Sequence, residues 1–316
     1  VRVVVFAAGA VGSLLGASLA HAGHSVLLVG RPDHVRAIRA EGLRITGTLV
    51  ETVELRAETS VPADFAPEAI LLTAKTFDLP ASASLLGIQV PTPRPTLLPQ
   101  NGLGVEEPVQ TALAGSGWSH PERWVVRAVN SIPATLLGPG AVRAAGQGEI
   151  VLGRAREPAA AATRAFSRLF RSTEIPVRVV NDLEREVWRK ALINAAINPV
   201  TALHGVPNGR LLEEPYRTES NALLVEALAS ARAVGFDFRE KEVHSGLDRV
   251  LRATAENRSS MLQDLDRGRR TEIQAISGEI LRLGTAKGLD LPATRRAVEA
   301  IRARSPGGFL ARGQVS

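Results

Sequence analysis

The stretch Arg2-Val3-Val4-Val5-Phe6-Ala7-Ala8-Gly9-Ala10-Val11-Gly12 decides the fold. Its first five residues are a β-branched run that reads as a short buried strand. From Ala10 to Ala22 the chain is rich in Ala, Leu and Gly and reads as a helix. The residues Ala7, Ala8, Gly9, Ala10, Val11 and Gly12 therefore occupy the turn from a strand into a helix. In that setting glycine lets the backbone approach a pyrophosphate held at the helix N-terminus. The pattern departs from G-x-G-x-x-G at its first position, where Ala7 replaces glycine; alanine is disfavoured there if φ is positive. Gly9 and Gly12 survive, and Gly16 extends the small-residue face. The alternative is a βα turn that is merely glycine-rich.

Outward from this turn, strands and helices alternate. Ser25–Val29 reads as a second strand and His34–Ala40 as a helix. Ile70–Thr73 and Thr96–Leu98 read as short buried strands around a helical segment near Leu79–Leu86, and Val125–Val129 as another strand. This alternation predicts an α/β fold with an N-terminal Rossmann-type, doubly wound parallel sheet. Leu136–Ala144 and Glu149–Leu152, beside the turn signals Gly138-Pro139-Gly140 and Gly146-Gln147-Gly148, predict antiparallel strands at the sheet edge. Ala159–Phe170 reads as a helix and Val177–Val180 as a last strand. From Asn181 on, apolar spacing is helical, and Asn181-Asp182-Leu183-Glu184 fits a capping box with Asn181 as N-cap and Glu184 at N3. The expected division is a dinucleotide-binding domain over 1–180 and an all-helical substrate or catalytic domain over 181–316. The length of 316 residues suits two domains. The tail from Ser305 is expected to fray.

Composition narrows the chemistry. With no cysteine, disulfides, thiolate metal sites, Fe–S ligation and a Cys nucleophile are excluded. The six histidines show no metal-ligand spacing, so no metal site is expected. Lys and Arg number 38 against 32 Asp and Glu, a net charge of +6. The arginines are scattered and aromatics are few, which argues against nucleic acid; an anionic small molecule accounts for the sign equally well. No apolar run reaches the ~18 residues of a membrane span. No charged and apolar leader precedes the first strand, so a cytoplasmic location is expected. Monomer and homodimer both stay open. Only four of the 38 cations are lysines: Lys75, Lys190, Lys241 and Lys287. Arg cannot deprotonate and Lys can, so a lysine kept in such a background invites a role in proton chemistry.

The second strand ends Val29-Gly30-Arg31-Pro32-Asp33. An acidic residue about 20 positions after the glycine turn favours NAD, and an Arg favours the 2′-phosphate of NADP. Arg31 comes first and can place a planar fork on a phosphate, which favours NADP(H). The alternative is a solvated Arg31 with Asp33 capping the next helix.

Lys190, Asn194 and Asn198 recur at i, i+4 and i+8, which stacks them on one helical stripe. Asn gains little on a free helix surface, so the stripe suits a polar cleft. The alternative is a solvated face. Asn198 precedes Pro199, which predicts a kink or break there. A lysine ammonium facing such a cleft can stabilise developing negative charge and give up a proton. Glu272 follows Arg269-Arg270 at the start of a helix with apolar positions Ile273, Ile276, Ile280 and Leu283. A first-turn Glu is also commonplace for helix-dipole reasons. Trp188 reads as core.

Several segments together carry a family resemblance. They are Thr73-Ala74-Lys75-Thr76 and Gln100-Asn101-Gly102-Leu103-Gly104 at two strand ends, and Lys190-Ala191-Leu192-Ile193-Asn194-Ala195-Ala196-Ile197-Asn198-Pro199, continuing to Val206-Pro207-Asn208-Gly209. Asn257-Arg258-Ser259-Ser260-Met261-Leu262-Gln263-Asp264 and Arg270-Thr271-Glu272-Ile273 complete the set. Over nearly its whole length the chain resembles the ketopantoate reductases (2-dehydropantoate 2-reductases). The resemblance implies that Lys190 is the catalytic lysine and that Glu272 contacts the substrate hydroxyl and the lysine. It implies that Ser260, Asn257, Asn194 and Asn198 hydrogen-bond the substrate, and that Asn101 lies between nicotinamide and substrate. Ser259 or Ser260 read as a plain N-cap instead is the alternative. Lys75, at another strand end, reads as facing cofactor or cleft, or as an exposed loop lysine. The expected activity is NADPH-dependent reduction of 2-dehydropantoate to pantoate, on the pantothenate route, in a cleft between the domains. Two alternatives stand beside it: the same chemistry on another small anionic 2-oxo acid, and a nucleotide-binding sensor without turnover.

Overall fold

The computed structural model describes residues 1–306. The tail expected to fray lies, beyond Pro306, outside the described residues. The chain divides into two compact units. The first joins Val1–Gln100 with Val105–Leu183; the second joins Asn101–Gly104 with the chain from Glu184 on.

The first unit begins with β1 (Arg2–Phe6), α1 (Ala10–His21), β2 (Ser25–Val29), α2 (Pro32–Glu41), β3 (Leu43–Gly47), β4 (Glu51–Val53) and β5 (Arg56–Glu58). It continues with β6 (Ala69–Leu72), α3 (Leu79–Gln89), β7 (Thr96–Leu98), α4 (Glu106–Gly115) and β8 (Val125–Asn130). It closes with β9 (Ala134–Gly138), β10 (Ala141–Ala144), β11 (Ile150–Gly153), α5 (Ala160–Arg171) and β12 (Val177–Val180). The main sheet runs β12-β11-β8-β7-β6-β1-β2-β5. Its six strands from β5 to β8 are parallel. In chain order they read 3-2-1-4-5-6, the doubly wound arrangement whose ligand crevice opens where the order reverses, beside β1. Phe6 pairs with Leu72 across that reversal, so the ends of β1 and β6 lie side by side.

Both faces of this sheet are covered at its centre, which is why β1, β2, β6 and β7 carry no polar alternation. Val3 and Val5 face Leu15, Leu19, Phe166 and Phe170 on one side. Val4 and Phe6 face Leu72, Leu86, Val109 and Leu113 on the other. Gly16 brings α1 close; a Cβ there would lie 2.6 Å from Leu28 Cδ2.

The hairpin expected at the sheet edge is placed differently. β9 and β10 leave the main sheet and form a second one, in the order β4-β3-β10-β9. Their turn at Gly140 (φ +67°) packs on α2, where a Cβ would meet that of Ala37 at 2.7 Å. β11 alone runs antiparallel to β8, with β12 outside it.

The second unit is helical: α6 (Leu183–His204), α7 (Tyr216–Ala233), α8 (Glu240–Ala253), α9 (Ser260–Asp266), α10 (Glu279–Ala286) and α11 (Pro292–Arg304). Ala202, Met261, Leu262, Ile273, Val298 and Ile301 pack together within it. α6 starts at Leu183, so Asp182 rather than Asn181 immediately precedes it. The break expected at Asn198-Pro199 does not occur; α6 runs through Pro199. Residues 195–202 are buried throughout, and the Thr201 hydroxyl donates to the carbonyls of Ile197 (3.0 Å) and Asn198 (3.1 Å). Burial of this segment outweighs the missing proline N–H. Both oxygens of Glu226 on α7 accept from the first free N–H groups of α11, Ala293 (2.8 Å) and Thr294 (2.7 Å). No described helix is long and apolar enough to cross a membrane.

Candidate active site

The turn after β1 is built from backbone contacts. Ala8 N donates to Val29 O at 2.8 Å, and Thr73 N to Phe6 O at 2.9 Å. Ala7 adopts φ +60°, the left-handed region that an L side chain occupies at a penalty. The Thr73 hydroxyl donates to the carbonyls of Phe6 (3.1 Å) and Ala7 (3.2 Å). Gly12 packs against this threonine so closely that a Cβ would collide with its Oγ1. Gly9 is the N-cap of α1 and offers no side chain to the helix end, and the first turn of α1 carries no acid. A Cβ on Gly9 would meet nothing within 4 Å. The start of this twelve-residue helix is thus capped by no side chain and carries no acid, which suits a pyrophosphate.

The neighbouring strand ends converge on this turn. Lys75 is half-buried just past β6. Gln100, after β7, donates through Nε2 to the carbonyls of Leu72 and Ala74, the latter at 3.2 Å. Exposed Arg31 precedes α2, on the strand that β1 pairs with. Asp33, also exposed, accepts from the N–H of His34 at 2.9 Å. The structure therefore brings Ala7–Gly12, Arg31 and Lys75 to one edge of the sheet.

In the helical unit, Lys190 and Asn194 are half-buried on α6, and Asn198 is 5% exposed. A buried Asn198 does not fit a solvated face. Thr201 Oγ1 meets Ser259 Oγ at 2.7 Å, which docks the start of α9 on α6. Ser259 is the N-cap of α9, its hydroxyl accepting from Leu262 N at 3.2 Å. Ser260 is the first helical residue and is exposed, and Asn257 is half-buried just before it.

Glu272 is 8% exposed. It precedes a π-helical turn, Gln274–Gly278, rather than opening an α-helix directly. This turn brings Gln274 over Gly278, where a Cβ would lie 2.5 Å from its Oε1. The half-buried Asn101 belongs to the same unit. Its turn hangs on the π segment: Leu103 N donates to Ala275 O at 2.9 Å. Gly102 (φ +90°) lies where a Cβ would be 2.5 Å from that same oxygen.

Three contributors escaped the sequence reading. Thr73 and Gln100 stood inside quoted motifs without a role. Their signal is position: a hydroxyl and an amide at the ends of adjacent buried strands. The third is buried His34, whose spacing with Ile38 marks the inner face of α2. Among the described residues no cluster of three or more His, Cys, Asp or Glu could hold a metal ion.

Comparison with known proteins assigns both units. Residues 3–157 match the family described as Ketopantoate reductase PanE/ApbA, and residues 182–305 its C-terminal counterpart, Ketopantoate reductase PanE/ApbA C terminal. The chain belongs to the ketopantoate reductase family. The 2-dehydropantoate 2-reductase of Archaeoglobus fulgidus is 34% identical over 303 residues, covering 95% of this chain and 97% of that one. A solved family member, the PanE/ApbA family ketopantoate reductase from Ralstonia eutropha JMP134, superposes with a TM-score of 0.85 at 30% identity. It covers 96% of this chain and 98% of its own. The fold extends further: D-mandelate dehydrogenase, solved with NADH and anilino(oxo)acetate, gives a TM-score of 0.87 at 21% identity, over 96% and 98% of the two chains. As a family member this chain is an oxidoreductase.

Proposed function

We propose that this chain reduces 2-dehydropantoate to pantoate with NADPH, in the supply of pantothenate. The observation that carries the reading is the polar stripe of α6, on which Lys190 and Asn194 are half-buried and Asn198 is buried. Such a stripe is costly in a helix unless it serves a polar ligand. In the proposed division of labour, 1–180 holds the dinucleotide and 181–316 supplies the catalytic and substrate groups.

The uncapped start of α1 at Gly9 receives the pyrophosphate, Arg31 the 2′-phosphate, and Lys75 and Asn101 further cofactor contacts. When bound, the nicotinamide supplies the hydride that adds to the keto carbon. Lys190 polarises the carbonyl with its ammonium and gives up a proton to the oxygen as negative charge develops there. Glu272 accepts hydrogen bonds and orients the substrate. Asn194, Asn198, Asn257 and Ser260 bind its carboxylate and hydroxyl. The net charge of +6 agrees with an anionic cofactor and an anionic substrate. An enzyme of this kind works in the cytoplasm.

A second reading keeps the chemistry and changes the substrate. The fold alone is as close to D-mandelate dehydrogenase as to a ketopantoate reductase, so another 2-oxo acid is the competitor. The test is NADPH oxidation followed by absorbance, with 2-dehydropantoate against a panel of branched and aromatic 2-oxo acids. No preference for 2-dehydropantoate favours the second reading. NADPH binding without oxidation by any of them favours a sensor.

A further inference from the structure

His34 sits on the first turn of a helix otherwise rich in arginine, yet it is only 5% exposed. Both ring nitrogens are used. The backbone N–H of Gly140 donates to Nδ1 at 2.9 Å, so Nδ1 carries no proton. The proton is then on Nε2, which donates to Ser13 Oγ at 3.0 Å. Ser13 follows Gly12 directly, is 0% exposed, and donates its own N–H to Gly9 O at 2.9 Å. One end of the imidazole thus grips the pyrophosphate turn. The other end grips the β9–β10 turn, which approaches α2 because Gly140 has no side chain.

His34 also belongs to the segment that carries Arg31. Arg31 is the residue before α2, and its carbonyl accepts from Val35 N at 3.0 Å in the same turn. A Cβ on Gly30 would lie 3.5 Å from Ala8 O and 3.7 Å from His34 Cδ2. The ring therefore packs under the join between the two loops. A core position here needs only an apolar side chain; an imidazole with both nitrogens bonded fixes direction as well as distance.

We infer that His34 is a positioning residue for the dinucleotide, holding the Arg31 segment at a fixed distance from the turn Ala7–Gly12 and so setting a preference for NADPH over NADH. This rests on the NADPH reading above. A dinucleotide with a 2′-phosphate must be held at both loops at once, and NADH only needs the first. Loosening the link between the loops therefore weakens the first ligand more than the second.

The test measures Kd for NADPH and NADH by titration calorimetry on the wild type, Ser13→Ala, His34→Asn and His34→Leu, with urea midpoints alongside. Ser13→Ala removes one grip with almost no change in volume. His34→Asn keeps an acceptor for Gly140 and loses Ser13. We expect NADPH to bind about tenfold more weakly in Ser13→Ala and His34→Leu, the effect of roughly one lost hydrogen bond, with NADH changed less than about threefold. His34→Asn should fall with Ser13→Ala. A wild type that prefers NADPH, with variants that weaken both nucleotides equally or neither, makes His34 a purely structural residue and overturns the inference alone. A wild type that binds NADH as tightly, or neither nucleotide, overturns the NADPH reading and this inference with it.

Discussion

The hydroxyl of Thr73 donates to the carbonyl oxygen of Ala7 at 3.2 Å, across the reversal point of the sheet. Ala7 bends out of β1 with φ +60°, so the bond steadies a backbone conformation that alanine resists. The left-handed region costs an L residue about 1–2 kcal/mol, against about 0.4–1 kcal/mol of extra unfolded-chain freedom for glycine. Ala7→Gly should therefore stabilise the protein by about 0.5–1 kcal/mol. Urea unfolding followed by circular dichroism checks this; an unchanged or lower midpoint rejects it.

Gly12 tests the same threonine from the other side. Its replacement by alanine drives a Cβ into Thr73 Oγ1, with Val5 Cγ1 at 3.0 Å behind. Gly12→Ala should destabilise by about 1–3 kcal/mol. Adding Thr73→Ala should recover part of that loss, so a double-mutant cycle on urea midpoints should give a coupling beyond the additive error. Additive effects would mean that the helix moves instead.

Stability should fall on mild acidification through His34. Burial lowers its pKa from the ordinary 6.5, and the nearby Asp33 carboxylate only partly opposes this. Below about 6.5 the unfolded chain takes up a proton that the folded ring refuses. The stabilisation is complete above that pH and is lost as pH drops from there toward the folded value. Urea midpoints between pH 7.5 and 5 should decline less steeply in His34→Asn. Parallel curves would place the acid sensitivity elsewhere.

Lys190 carries the catalytic half of the proposal. Lys190→Ala should lower kcat about 10²- to 10⁴-fold, the usual contribution of a positioned acid. Lys190→Arg should stay slow too, because guanidinium polarises but does not release its proton. NADPH affinity, measured by calorimetry, should change little in either. Near-wild-type turnover in Lys190→Arg would remove Lys190 as the proton donor.

Glu226 gives a check unrelated to the active site. Its carboxylate holds two N–H groups at the start of α11. Glu226→Ala should destabilise by about 1–3 kcal/mol, and Glu226→Gln by less. Glu226→Gln keeps one acceptor oxygen and turns a donor NH2 toward the other N–H, so a loss as large as that of Glu226→Ala would mean that the remaining bond contributes nothing.

The residues that announce the fold are those whose neighbours are close in sequence or whose burial is complete. β1, β2, β6, β7 and β8 are short apolar strands covered on both faces, and they read cleanly. β3, β4 and β5 interleave Arg44, Glu51, Arg56 and Glu58 with small or apolar residues and give a weak strand signal. The sheet of β3 and β4 also depends on pairing Ala141 with Arg44, a partnership that local patterning cannot announce. The α6 stripe was legible because a helix repeats every four residues, and Glu272 and Asn101 entered through motif resemblance. His34 was not legible as a site residue, since its partner Gly140 lies 106 positions further along the chain. The continuity of α6 through Pro199 also depends on tertiary burial, against a local rule that favours interruption.

The turn Asn101–Gly104 leaves the main sheet between β7 and α4, yet it packs as part of the helical unit. The protein is two compact bodies made from four lengths of chain, two in each, so no single cut separates it cleanly. A fragment ending at residue 180 would carry Leu103, only 7% exposed in the whole protein, away from the carbonyl of Ala275 that its N–H needs. The helical fragment would in turn leave the carbonyl of Ala275 without the N–H of Leu103. Dissection by expression of halves will therefore give two damaged pieces, and a self-sufficient helical domain would have to be built with this four-residue turn grafted back on.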